Sequence, residues 1–259
     1  MFKTKQFIAA ALLLLAASGA SAGVILDTGA NAYWGGNDHK LGDVIGTAMY
    51  NISGATVTRT GSLLHISIAT AFAGHAGADT WATPKGIGYG DVFLAAAWKP
   101  FGLDAHHLSD KAATGTKWSY GFNLDNRWSN SGGSFTLYEL NGATNAGNIL
   151  NSESFITCAL GSACYYRDGQ ATAVKTTSSS VRNTGIKGTW SVLPNAELRF
   201  SVDLGATALA ASNTVALHWG ETCQNDVIEG LALVPEPGGF ALFGLGALAL
   251  GLVRRRNRA

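Results

Sequence analysis

Glu197-Leu198-Arg199-Phe200-Ser201-Val202-Asp203-Leu204 alternates without a break. Leu198, Phe200, Val202 and Leu204 take one set of positions, and every charge takes the other. Side chains along a strand point to opposite faces with a period of two, so this stretch reads as a strand with one face buried and one in water. Leu64-His65-Ile66-Ser67-Ile68-Ala69-Thr70-Ala71-Phe72 repeats the pattern, which places Leu64, Ile66, Ile68 and Phe72 on one face. Further strands are expected over 56–59, 91–98, 117–124, 134–140, 164–167, 172–175, 188–193 and 214–219, separated by turn-forming clusters such as Asn130-Ser131-Gly132-Gly133 and Asn141-Gly142. Residues 74–90 and 143–163 read as long loops. Nothing between the termini sustains a capped helical period, so the fold class is all-β: an antiparallel β-sandwich or jelly roll forming one domain.

The two ends read differently. Lys3 and Lys5 precede an apolar run over 7–19, and Ala20-Ser21-Ala22 supplies the small-x-small cleavage pattern. That is the layout of a signal peptide helix over 1–22, cut by signal peptidase between Ala22 and Gly23. The β-rich ectodomain is then 23–233. At the other end Pro235-Glu236-Pro237 is followed by an apolar run over 240–253 and by Arg254, Arg255, Arg256 and Arg258. A helix over that run is about 21 Å long, against roughly 30 Å for the hydrocarbon core of a bilayer. It reads as a short transmembrane helix suited to a temporary stay in the inner membrane, with its arginines on the cytoplasmic side.

In order and spacing, residues 234–259 resemble the PEP-CTERM sorting signal of bacterial surface proteins. The resemblance implies handling by exosortase, a membrane-embedded processing enzyme. It also implies delivery to the cell surface or extracellular matrix of a Gram-negative-type bacterium, next to polysaccharide and biofilm. Three ectodomain segments resemble others of that group: 88–94, Tyr166-Arg167-Asp168-Gly169-Gln170, and 217–230 with its Trp219, Cys223, Asn225 and Asp226. Gln224 stands where the group's pattern has glycine. These relatives are β-rich and of unassigned activity, so the resemblance implies an address and a fold.

Setting aside the six basic residues and one acid of the two signals leaves twelve basic and sixteen acidic residues, a net charge of −4. Such a domain lacks the basic footprint for nucleic acid or anionic lipid. Of the three cysteines, Cys158 and Cys164 are spaced for a disulfide across a short loop, while Cys223 is a buried thiol or an alternative partner. No zinc spacing accompanies them, and no resident metal or other cofactor is expected. Calcium is a minor option, through Asp43, Asp91 and Asp226 pooled from separate loops.

Catalytic candidates are few. His218 and Cys223 stand five apart, but the expectation is a strand end rather than a nucleophile pair. Glu139, Glu153, Glu197, Glu221 and Glu229 are scattered, whereas glycoside hydrolysis needs two acids facing one sugar. His106-His107, as neighbours, point apart. No catalytic residue is assigned. Among the seven tryptophans, Trp118, Trp190 and Trp219 lie in strand-like runs and belong to the core. Trp34, Trp81 and Trp128 lie in loop-like sequence, where a ring can stack on a sugar with Asn123, Asn126 or Arg127 bonding its hydroxyls. The sequence therefore points to a non-catalytic structural or adhesive surface protein. A carbohydrate-binding module is the main alternative, and a secreted hydrolase a distant one.

Overall fold

Leu198, Phe200 and Val202 all point inward and are buried, while Arg199 and Asp203 on the other face are exposed. Their strand is one of twelve in the computed structural model, which describes residues 22–27, 47–103, 110–157 and 166–234. The strands are β1 (Ala22–Leu26), β2 (Ile52–Thr60), β3 (Leu63–Thr70), β4 (Val92–Ala95), β5 (Tyr120–Leu124), β6 (Gly132–Leu140), β7 (Ile149–Asn151), β8 (Ala171–Val174), β9 (Val181–Leu193), β10 (Glu197–Asp203), β11 (Thr214–Gly220) and β12 (Val227–Leu233). Ten form one antiparallel sheet in the order β1-β2-β3-β10-β9-β6-β5-β4-β11-β12, and β7 pairs with β8. Four short 3-10 turns are the only helical elements among the described residues.

The two ends of this sheet come together. A side chain at Gly23 would meet Ala232 Cβ at 2.6 Å and Leu233 O at 2.7 Å, and one at Gly230 would meet Ile25 at 2.8 Å. The sheet is therefore nearly closed, with β1 running antiparallel along β12. Inside, Phe122 stacks on Phe135 at 4.3 Å, and both rings approach Phe200 at 6.2 Å. Strands β5 and β10 are not neighbours in the sheet, so these contacts cross the enclosed core.

The all-β antiparallel class follows from the alternation, and nine of the twelve strands overlap the expected runs. Four features were not legible. Strand β1 begins at Ala22, one residue before the expected start of the mature chain, and pairs Ala22 with Thr58. Strand β7 lies within the expected 143–163 loop, and β12 was not expected as a strand. Strand β9 runs thirteen residues rather than six. Its first half holds a bulge at Arg182-Asn183-Thr184-Gly185: Gly185 has φ 78°, and Thr184 Oγ1 donates to Leu137 O at 2.7 Å. In the other direction, β3 stops at Thr70, whose hydroxyl accepts the Phe72 N–H at 3.1 Å, so Phe72 reaches the core from a turn.

Strands β4 and β11 are buried on both faces, which explains the apolar runs Val92–Ala95 and Val215–Leu217. Val92 and Leu94 face the main core. Phe93 and Ala95 join Trp118, Leu140, Ile149, Ala171, Val174 and Ala216 in a second cluster between the large sheet and β7–β8. No helix among the described residues is long and apolar enough to cross a membrane, and residues 1–21 and 235–259 lie outside them.

Candidate functional site

The three segments singled out in the ectodomain meet in space. Strands β11 and β12 are joined by a six-residue turn, 221–226, with Gly220 opposite Val227. Segment 88–91 docks on that turn. Gly88 N donates to Thr222 Oγ1 at 3.0 Å, Thr222 N to Gly88 O at 2.9 Å, and Gly90 N to Gly220 O at 3.0 Å. From the third segment, Arg167 N donates to Cys223 O at 3.1 Å, and its guanidinium donates to Asn225 O at 2.7 Å. Gln224 adopts φ 54°, the left-handed backbone that glycine takes most easily, so the turn keeps its shape at the position where the group's pattern has glycine.

The carboxylates here are fastened to the fold. Asp226 accepts Ile52 N at 2.7 Å and Val227 N at 2.8 Å and lies 3.8 Å from Arg167. Asp91 accepts Arg127 at 3.0 Å, Val174 N at 2.8 Å and Leu124 N at 3.2 Å. Burial raises the Asp91 carboxyl above its ordinary range, and Arg127 with the two amides works against that rise. The oxygens of Asp91 and Asp226, named for the calcium option, accept N–H groups and each face a guanidinium. Asp43 lies outside the described residues, and among those described no cluster of His, Cys, Asp and Glu is arranged to hold a metal ion.

Glu221 is fully buried, and its Oε1 has no hydrogen-bond partner. Burial, then the nearby Asp226, hold its carboxyl well above the ordinary range. The folded domain thus keeps a proton that the unfolded chain releases, and stability falls as pH rises from the ordinary carboxylate range toward the folded-state value. Glu221→Gln, which keeps the shape without the titration, is expected to flatten this slope. Thermal unfolding followed from pH 4 to pH 9 should show variant and parent converging at the acid end, with the variant more stable at the alkaline end.

His218 and Cys223 do not form a nucleophile pair. His218 Nδ1 is 2.7 Å from Glu229 Oε2 and Nε2 is 2.7 Å from Ala171 O, so both ring nitrogens are engaged. Trp98 Nε1 donates to the other oxygen of Glu229 at 2.7 Å. Cys223 sits in the main core, where burial, then Glu221, raise its thiol well above the usual range and so against the thiolate that chemistry requires. Glu139 pairs with Arg182, Glu197 with Ser67 and Arg199, and Glu153 accepts Gly169 N at 2.9 Å. Each of these three is engaged locally on its own part of the surface.

No family model, curated protein or solved structure matches the chain.

The aromatic candidates divide. Trp118, Trp190 and Trp219 are buried, as the alternation predicts. Trp81 is 57% exposed, with its Nε1 on Asp79 Oδ1 at 3.0 Å. Trp128 is half-buried and lines a cleft of about 290 Å³ together with Thr83, Lys85, Ser154, Phe155 and Thr222. Its Nε1 donates to Gly86 O at 3.1 Å, and Lys85 Nζ lies 4.9 Å from its ring centre. Thr222 belongs both to this cleft and to the turn that binds segment 88–91, so the buried network positions the cleft wall. Arg127 is a correction to the expected sugar contacts. It is buried, holding Asp91 and the Tyr89 carbonyl, with Phe155 stacked against it at 5.2 Å. Phe155 and Lys85 were missed because an isolated ring or charge in a polar loop carries no periodic signal. Trp34, His106, His107, Cys158 and Cys164 lie outside the described residues.

Proposed function

We propose that the chain is a secreted surface protein sorted by the exosortase system, whose β-domain is a non-catalytic structural or adhesive component of the extracellular polysaccharide or biofilm matrix. The observation that carries this is the tail: Pro235-Glu236-Pro237, an apolar run and an arginine cluster, in that order. The end of the domain supports it. Strand β12 closes at Leu233, and Val234, which precedes the motif, is buried with its N–H on Asn213 O at 2.8 Å. Signal peptidase and exosortase are the processing partners, and the inner membrane holds the intermediate before surface delivery. Within this reading the ectodomain is sandwich- or jelly-roll-like in the sense that facing parts of one sheet enclose its core.

Deleting 235–259, which spares the buried Val234, is expected to release the domain into the periplasm or medium. Cell fractionation with immunodetection reads the result, and unchanged surface retention would overturn the assignment.

A carbohydrate-binding module is the second reading, favoured by the cleft beside Trp128. Its hydroxyls and ammonium surround aromatic rings, a combination suited to sugars and to acidic sugars in particular. In a pull-down on extracellular polysaccharide, with and without calcium, the tail-deleted protein is expected to be retained and Trp128→Ala to lose retention. Equal retention of the two would exclude the cleft.

A further inference from the structure

Val24, Leu26, Leu231 and Leu233 are 57%, 60%, 41% and 64% exposed, although each lies in a strand. The alternation of β1 and β12 puts all four on the outer face, while Ile25 and Ala232 between them face the core. The close approaches of Gly23 to Ala232 and Leu233, and of Gly230 to Ile25, set Val24 at the level of Leu231 and Ala22 toward Leu233. The four side chains therefore share one patch, spanning the seam where the two ends of the sheet meet. Neither strand carries a lysine or arginine, and the one carboxylate, Glu229, shares the outer face but is buried there against His218 and Trp98. Four adjacent aliphatic groups of this exposure form one contiguous apolar patch, and a patch of this kind on a folded domain is often functional.

We propose that this seam is a lipid-facing surface, on which the domain rests while its tail is held in the membrane; the proposal rests on the sorting-tail reading above. The position of the patch along the chain selects the occupant. Leu233 is the last residue of the patch, and Val234 is pinned to Asn213. Five residues, 235–239, separate it from the apolar run, a reach of at most ~17 Å when fully extended. With the run inserted, the seam is thus the part of the domain tethered beside the bilayer. The domain's net charge of −4 offers no attraction to anionic headgroups, so the contact is apolar. Release of the tail uncovers the same patch at the cell surface.

The full chain in vesicles of phosphatidylethanolamine and phosphatidylglycerol, with a diazirine-bearing acyl chain as probe, tests this by photocrosslinking and mass spectrometry. Lipid adducts are expected on Val24, Leu26, Leu231 and Leu233 as well as within 240–253. Adducts confined to 240–253 overturn the lipid-facing seam and leave the tail reading standing. Adducts on neither overturn both. A dimer by light scattering in the same vesicles' detergent extract, with no lipid adducts on the seam, overturns the proposal in favour of self-association. In a chain carrying both Leu231→Ser and Leu233→Ser, water-facing changes that spare the core, the Val24 and Leu26 adducts are expected to be lost while those of 240–253 persist. Survival of the β1 adducts in that chain also overturns it.

Discussion

Replacing Asp91 by alanine is expected to lower the stability of the domain by about 3–5 kcal/mol, because it strips the partner from a buried charge. Asp91 is fully buried and ties four elements together. Its oxygens accept Leu124 N at the end of β5, Val174 N at the end of β8, and the Arg127 guanidinium, while its own N–H donates to Thr172 O at 2.8 Å. Alanine leaves the guanidinium and two backbone donors without their acceptor, in a site closed to water by the strands around it. A domain of this size should then unfold on the order of 10 °C lower. Asp91→Asn separates charge from geometry. It keeps one acceptor oxygen but turns an NH2 group toward a donor, so an intermediate loss is expected. Calorimetry or thermal circular dichroism decides, and a shift in Asp91→Ala of a degree or less would show that the cage is not a determinant of the fold.

Gly90→Ala is the second large effect, and it acts through space rather than charge. The added methyl would lie 2.3 Å from Gly220 O, the carbonyl that accepts Gly90 N. Relief requires segment 88–91 to move away from the 221–226 turn. That breaks this hydrogen bond and disturbs the one from Trp219 Nε1 to Gly90 O at 3.1 Å. A loss of about 3 kcal/mol or more is expected, the upper range for overpacking, because the obstacle is backbone. Gly61→Ala is the control for the loss of a glycine as such. Gly61 also has a positive φ, 59°, but a methyl there meets nothing within 4 Å. It should cost about 1 kcal/mol of backbone strain. Equal losses in the two variants would mean that the close approach at Gly90 carries no weight.

Both changes fall in the buried network where the resembling segments converge, and this sharpens what those segments are. Arg167, Gly90, Asp91, Gln224 and Asp226 form the joint that holds the β11–β12 turn, segment 88–91 and the 166–170 turn in one block. The residues that carry the resemblance thus have structural work in this chain. The groups available to a ligand lie beside them, at Trp128, Phe155 and Lys85.

The strand class was determined by the sequence itself wherever one face is buried and the other wet, because alternation then writes the fold into every second residue. Leu198, Phe200 and Val202, like Leu64, Ile66 and Ile68, needed no partner to be read. The readings of the two ends rest on local order alone: lysines, apolar run and small residues at one end, Pro-Glu-Pro, apolar run and arginines at the other. Only the tertiary structure decided the rest. Val92-Phe93-Leu94-Ala95 hides its strand neighbours because the β7–β8 pair covers its second face. The Arg182–Gly185 bulge shows only when Leu137 is set beside it. Asp91 and Asp226 carry no local mark of what they hold; amides and guanidinium groups from distant parts of the chain surround them in the folded domain. The seam of β1 and β12 joins residues more than 200 positions apart. No local pattern anticipates a closure that depends on how the whole sheet bends.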